Sequence, residues 1–292
     1  MSLKSAYKTS GEIFRQVSKM YQPGLLDQMK AIKNGEIVVV RGQYDHIETL
    51  LDTMKLPYEL ISPKEVASHN GGRVMFVNCS SYDCIDKKTK DTVKEFVNDG
   101  GRLVTTDWSL GFVLGIFPGK YKKIKDTAQE VVEVQCTTDL SRKLLGLNYA
   151  QCHPKWWLEG SSHIYEIKDG VVPIITSNEM EAKYGKPYVA TGFTEGKGEA
   201  IHFISHLELQ KTKLSTKEDK KGLETFLKNM KISKTAEMDD DLMVAELEAA
   251  YSTLNTLAYL CLPSALLNPT MKSVMLKSNI GGEKSKALIW KQ

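Results

Sequence analysis

Several signatures that would settle a function quickly are missing from these 292 residues. No apolar run approaches the roughly 20 residues of a membrane-spanning helix. The opening segment MSLKSAYKTSGEIFRQVSK has no apolar core of signal-peptide type. Neither charge dominates: 39 basic against 36 acidic residues leave a net +3, without the concentrated basic face of a nucleic-acid binder. The five cysteines, Cys79, Cys84, Cys136, Cys152 and Cys261, are odd in number and lack zinc-ribbon spacing. Reduced thiols in the cytoplasm are the simplest reading. Internal repeats and low-complexity blocks are absent. The glycine pairs Gly71-Gly72 and Gly100-Gly101 precede strand patterns, whereas phosphate-cradling glycines follow a strand and open a helix. The expectation is a soluble cytoplasmic protein with no cofactor, no bound metal, and no nucleic-acid or membrane partner.

What is present is an alternation of two periods. EIVVVRG (36–42), YELISP (58–63), RVMFVNCS (73–80) and RLVTTDWS (102–109) are strand-like apolar runs. HIETLLDTMKL (46–56) and KKTKDTVKEFVNDGG (87–101) are amphipathic helices between them. Strands alternating with helices at this spacing predict βαβ units and a parallel sheet. Beyond Phe117-Pro118-Gly119 the pattern is richer in strands. EVVEVQC (130–136) suggests an edge strand, SRKLLGLN (141–148) a short helix or turn, SSHIYEIKDGVVPIITSN (161–178) at least two strands, and PYVATGFTEGKGEAIHFISH (187–206) a hairpin. KEDKKGLETFLKNMK (217–231) and LMVAELEAAYSTLNTLAYLCL (242–262) read as helices. The fold class is a three-layer α/β/α core with a mainly parallel, flavodoxin-like sheet, and added N- and C-terminal helices. Boundaries fall at 1–35 for a helical extension, 36–232 for the α/β domain, and 233–292 for a helical extension and tail.

Four places resemble the class I glutamine amidotransferase-like superfamily, in its ThuA-like (trehalose-utilisation) branch. They are the opening strand and helix, 37–56; the strand 73–80 with its polar continuation 81–86; the block VKEFVNDGGRLVTTD, 93–107; and the late hairpin KPYVATGFTEGKGEAIHFISH, 186–206. His153-Pro154 resembles a further His-Pro element. The likeness covers about 36–210. It implies a nucleophile elbow after the strand ending at Thr106, where a working amidotransferase carries cysteine among small residues. Here the run is Thr106-Asp107-Trp108-Ser109-Leu110-Gly111, with no cysteine and a bulky tryptophan. The nearest echo of the partner His-x-Glu pair is His206-Leu207-Glu208, at a strand end after the hairpin.

The elbow therefore carries the functional question. Asp107 lies where ligands of open α/β sheets bind; it suits an acid/base role or a helix N-cap. Ser109 is a nucleophile only if a histidine meets it, and one glycine of G-x-S-x-G is missing; otherwise it is a turn or cap residue. Trp108, Ser109, Ser81 and Tyr82 are candidate ligand contacts. Cys79 and Cys84 flank the end of the third strand as weaker nucleophile candidates. His153, His163, His202 and His206 are candidate metal ligands. On a continuous strand, however, His202 and His206 would stand about 13 Å apart, so no metal is expected. Lys155-Trp156-Trp157 suits either a sugar platform or loop packing. Two functions follow. One is a non-catalytic amidotransferase-like module that binds a partner protein or small polar ligand, assembling through its terminal helices into homo-oligomers. The other is a ThuA-like enzyme acting on a sugar or similar metabolite, with Asp107, His153 and His206 as its acid–base groups.

Overall fold

A computed structural model describes residues 3–69, 71–82, 85–136, 138–148, 155–208 and 222–267. In chain order the elements are α1 (Leu3–Tyr21), α2 (Pro23–Lys30), β1 (Ile37–Val40), α3 (Glu48–Met54), β2 (Glu59–Ile61), β3 (Val74–Val77), α4 (Lys87–Asn98), β4 (Arg102–Thr106) and α5 (Leu110–Ile116). The second half holds β5 (Tyr121–Asp126), β6 (Glu130–Glu133), α6 (Asp139–Leu144), β7 (Lys155–Leu158), β8 (His163–Ile167), β9 (Val171–Thr176), α7 (Asn178–Tyr184), β10 (Tyr188–Glu195), β11 (Gly198–Phe203), α8 (Leu223–Met230) and α9 (Val244–Cys261).

The main sheet has seven strands in the order β2-β1-β3-β4-β11-β10-β9. Every neighbouring pair from β2 to β11 is parallel, and only β10 runs against its neighbours. This is the mainly parallel α/β sheet that the alternating pattern predicts. The central strands IVVV, VMFV and RLVTT are buried at every position, as strands covered by helices on both faces must be. The left-handed Gly100 (φ +115°) ends α4, and Gly101 N donates back to Phe96 O at 2.9 Å, so this glycine pair turns the chain from helix into β4.

Two small ribbons lie outside the main sheet, β5 with β8 and β6 with β7. The 130–136 segment forms β6, which pairs with the Trp156-Trp157 strand, and Gln135 bridges to Thr176 on β9, the edge of the main sheet. Trp156 is buried and stacks on Phe203 at 5.9 Å, which makes it a packing residue. β5 escapes sequence reading because YKKIKD exposes five of its six residues and offers no apolar alternation. The long helix α9 is buried from Tyr251 through Cys261; it packs against α1, α2, α3, α6 and α8. Asn255 Nδ2 donates to the carbonyls of Lys143 and Leu144, both at 2.7 Å, satisfying the open C-terminal carbonyls of α6. The 268–292 tail lies outside the described residues. Among those described, no helix is long and apolar enough to cross a membrane.

One buried ion pair ties the backbone after α9 to the sheet centre. Arg102 on β4 and Glu199 on β11 are register partners. Arg102 Nε donates to Glu199 Oε1 at 2.6 Å, with both side chains about 5% exposed or less. Arg102 also donates to the carbonyls of Leu260, Leu262 and Ser264, while Glu199 accepts from the backbone N–H of Leu266 and Leu267. Both members of the pair therefore also hold the backbone at the exit of α9. Arg102→Ala strands a buried carboxylate, so chemical denaturation is expected to show a loss of about 3–5 kcal/mol. Glu199→Gln keeps an acceptor and should cost less. A loss below about 1 kcal/mol for Arg102→Ala would contradict this role.

Candidate functional site

The carboxyl ends of β1, β3, β4 and β11 converge, and each strand supplies an ionisable side chain just beyond its last residue: Asp45, Cys79, Asp107 and His206. The floor is built by close backbone approach. Gln43 N and Tyr44 N donate to Cys79 O at 2.9 and 3.1 Å, pinning the loop after β1 onto the end of β3. A Cβ on Gly42 would lie 2.5 Å from Asn78 Cβ, so only glycine permits this contact.

Asp107 occupies the elbow proper. Its φ is +47°, a left-handed conformation that aspartate tolerates better than most residues. It opens a single 3-10 turn, Asp107–Ser109, without capping it. Its carboxylate instead turns inward: Oδ2 lies 3.5 Å from His206 Nε2 and 3.7 Å from Cys79 Sγ. His206 Nδ1 on the other side of the ring lies 3.3 Å from Glu159 Oε1. One imidazole is thus held between two carboxyl groups. Asp45 Oδ2 accepts from Thr106 Oγ1 at 2.6 Å, and Glu208 completes a second group with Asp45 and His206. Burial raises the Tyr7 hydroxyl of α1 well above its ordinary value, with the charges of Glu208 and Asp45 adding to it.

Burial sets the electrostatics. It pushes the Asp107 carboxyl up to about 6, against the opposing pull of His206, and raises Glu159 against the same pull. Burial, reinforced by Asp45, pushes Glu208 up to about 7. Burial and the Asp107 charge together raise the Cys79 thiol, which makes it a poor free nucleophile. Two sets of donors lie close enough to hold an ion: Cys79, Asp107 and His206, and Asp45, His206 and Glu208.

The remaining sequence candidates divide. Trp108 roofs the centre: its Nε1 donates to Ser161 O at 2.9 Å, and its ring lies parallel to His163 with centroids 6.2 Å apart. Tyr44 meets it edge-on at 5.4 Å. His163 therefore belongs to the roof, and burial lowers its pKa. Ser109 is buried and donates to Asn78 O at 2.8 Å, so its hydroxyl serves the end of β3. Tyr82 donates to the same carbonyl at 3.0 Å. Ser81 lies exposed in the loop after β3. His202 points away from His206 because β11 ends at Phe203, between them. It packs on Thr105 at 2.9 Å, and burial holds it neutral with a pKa near 3. His153 and Cys84 lie outside the described residues. Asp45, Glu159 and the thiol's partnership with Asp107 were not found from sequence.

The raised Asp107 carboxyl has a stability consequence. Its pKa is higher in the fold than the ordinary 3.8 of an open chain, so the fold binds the proton more tightly. The penalty of burying its charge is absent below about pH 4 and fully present above about pH 6. Asp107→Asn is expected to be more stable than the parent by about 2–3 kcal/mol at pH 8, with the gain closing as the pH falls to 4. Urea denaturation at both pH values checks it, and a gain independent of pH would contradict the assignment.

No family model and no curated protein matches the chain. Solved structures share its path at low identity. A glutamine amidotransferase from Methylobacillus flagellatus is 14% identical with a TM-score of 0.46, the match covering 80% of this chain and 96% of that one. A putative ThuA-like protein from Bacteroides uniformis is 9% identical with a TM-score of 0.43, covering 60% and 83%. A β-galactosidase from Rahnella sp. R3 is 14% identical with a TM-score of 0.44, covering 60% of this chain and 29% of that one, so the present chain spans under a third of its length.

Proposed function

We propose that the protein is an enzyme of acid–base type acting on a small polar metabolite such as a sugar, at the centre formed by Asp107 and His206. The observation that carries this reading is the chain Asp107–His206–Glu159, with contacts of 3.5 and 3.3 Å, at a left-handed elbow beyond the carboxyl ends of parallel strands. Left-handed non-glycine residues cluster at working sites, and the crevice beyond strand ends is where α/β sheets bind ligands. A histidine between two carboxyl groups can take a proton from one side while the other holds its orientation. The run Thr106–Gly111, which resembles the amidotransferase elbow, holds no cysteine, so thiol-based glutamine hydrolysis is not the chemistry proposed. The rings of Trp108 and Tyr44 beside a buried polar cluster suit the mixed apolar and hydroxyl surface of a sugar.

A second reading, a binding module without catalysis, has one observation in its favour. Trp108 covers the centre and is fixed by a hydrogen bond to Ser161 and by the His163 ring.

The test is a thermal-shift screen of aldoses, sugar acids and polyols against the parent chain and Asp107→Ala, followed by product analysis for every compound that binds. A compound that raises the parent Tm, leaves Asp107→Ala unmoved and is converted by the parent alone is the expected result. A compound that stabilises both chains equally, or binds without turnover, favours the module. A panel with no binder contradicts the substrate class.

A further inference from the structure

At the elbow the Cys79 thiol donates to Asp107 Oδ2 at 3.7 Å, while His206 stands farther from the same oxygen than a close N–H···O bond would bring it. An N–H···O bond spans about 2.7–3.2 Å, whereas His206 Nε2 and Asp107 Oδ2 stand 3.5 Å apart. Cys79 Sγ is 3.7 Å from the same oxygen, and all three donor atoms fall within 4.8 Å of one another. Zinc at bond lengths of about 2.0–2.3 Å holds neighbouring tetrahedral ligands about 3.3–3.8 Å apart. The two separations from Asp107 Oδ2, 3.5 Å to His206 Nε2 and 3.7 Å to Cys79 Sγ, fall in that range.

Two independent features point the same way. Asp107 is 3% exposed, and its second oxygen, Oδ1, makes no hydrogen bond of normal geometry. Behind His206, Glu159 Oε1 lies 3.3 Å from Nδ1. That is the outer carboxylate by which metal-bound histidines are oriented and made better donors.

We infer that Cys79 Sγ, Asp107 Oδ2 and His206 Nε2 form a site for one divalent transition ion of the zinc or cobalt class. Three protein ligands leave a fourth position for water or a substrate hydroxyl, the pattern of catalytic zinc. A thiolate ligand selects against magnesium and calcium, which take oxygen donors. On binding, the Cys79 S–H proton passes to solvent as the sulfur–metal bond forms. The carboxylate and imidazole contribute lone pairs, and no oxidation state changes. The inference rests on the elbow being the working centre and changes the proton carrier there, from the carboxyl to an ion-bound water.

Cobalt(II) titration of the metal-stripped full chain tests it. One equivalent per chain is expected, with thiolate-to-cobalt charge-transfer absorption, displacement by zinc, and no competition from excess magnesium. Cys79→Ser should abolish the charge-transfer band, while Cys136→Ser, at a half-buried cysteine outside the cluster, should keep it. His206→Ala should abolish tight binding, and Glu159→Gln should weaken it about 10–100-fold with the band intact. A band that survives Cys79→Ser, or no tight binding by a parent chain that circular dichroism shows to be folded, overturns the site. Failure here is separable from failure of the acid–base reading. A polar ligand that still needs Asp107 but is indifferent to Cys79→Ser leaves that reading standing without the metal. A cobalt band in a chain whose ligand ignores Asp107→Ala leaves the metal without the reading.

Discussion

The register of β4 against β11 is the constraint on which the rest depends. Arg102 faces Glu199 at the start of this parallel pair, and Thr106 faces Phe203 at its end. The next residue on one strand is Asp107, and three beyond the end of the other is His206. A slip of one residue would reverse the faces of every side chain on the strand, separating Arg102 from Glu199 inside the core. An unpaired buried charge is far more costly than a surface one, so the ion pair guards the register. It thereby fixes, at the opposite end of the same two strands, which groups meet. The same pair captures the backbone after α9, so the long helix and the site share one anchor.

The centre itself works against stability. A carboxyl held at a left-handed turn, buried beside a thiol and a second carboxyl, is a poor choice for a structural residue. Asparagine there would avoid the buried charge altogether. Glu208 and Asp45 add two more buried or half-buried acids around the same imidazole. Concentrated, burial-shifted titratable groups of this kind are characteristic of sites with chemistry to perform.

Much of the architecture is legible because parallel sheets covered on both faces need uninterrupted apolar strands, and IVVV, VMFV and RLVTT are such runs. The hairpin of β10 and β11 is legible from its glycine turn. β5 is not, because an exposed lysine-rich ribbon carries no burial period. The site is half legible. Asp107 and His206 are visible as polar residues at strand ends, yet their partnership is not, because His206 follows β11, whose residues pair with β4 residues 97 positions earlier. Cys79 lies 28 residues from Asp107, and Thr106 meets Asp45 across 61. No spacing rule in a linear sequence finds donors that four separate strand ends deliver. The sheet order would have found them, since all four follow adjacent parallel strands. The histidine spacing also misled: His202 and His206 belong to one segment but to different surroundings, because the strand stops between them.

The account stands on Asp107 and His206 acting as one unit. The most direct measurement is a double-mutant cycle of Asp107→Asn and His206→Gln, read by urea denaturation of the metal-free chain at pH 8. A coupling energy of about 1 kcal/mol or more, of either sign, is predicted for groups that meet across this gap. Additivity within about 0.3–0.5 kcal/mol would mean that the two residues do not share a site, and would contradict the centre described.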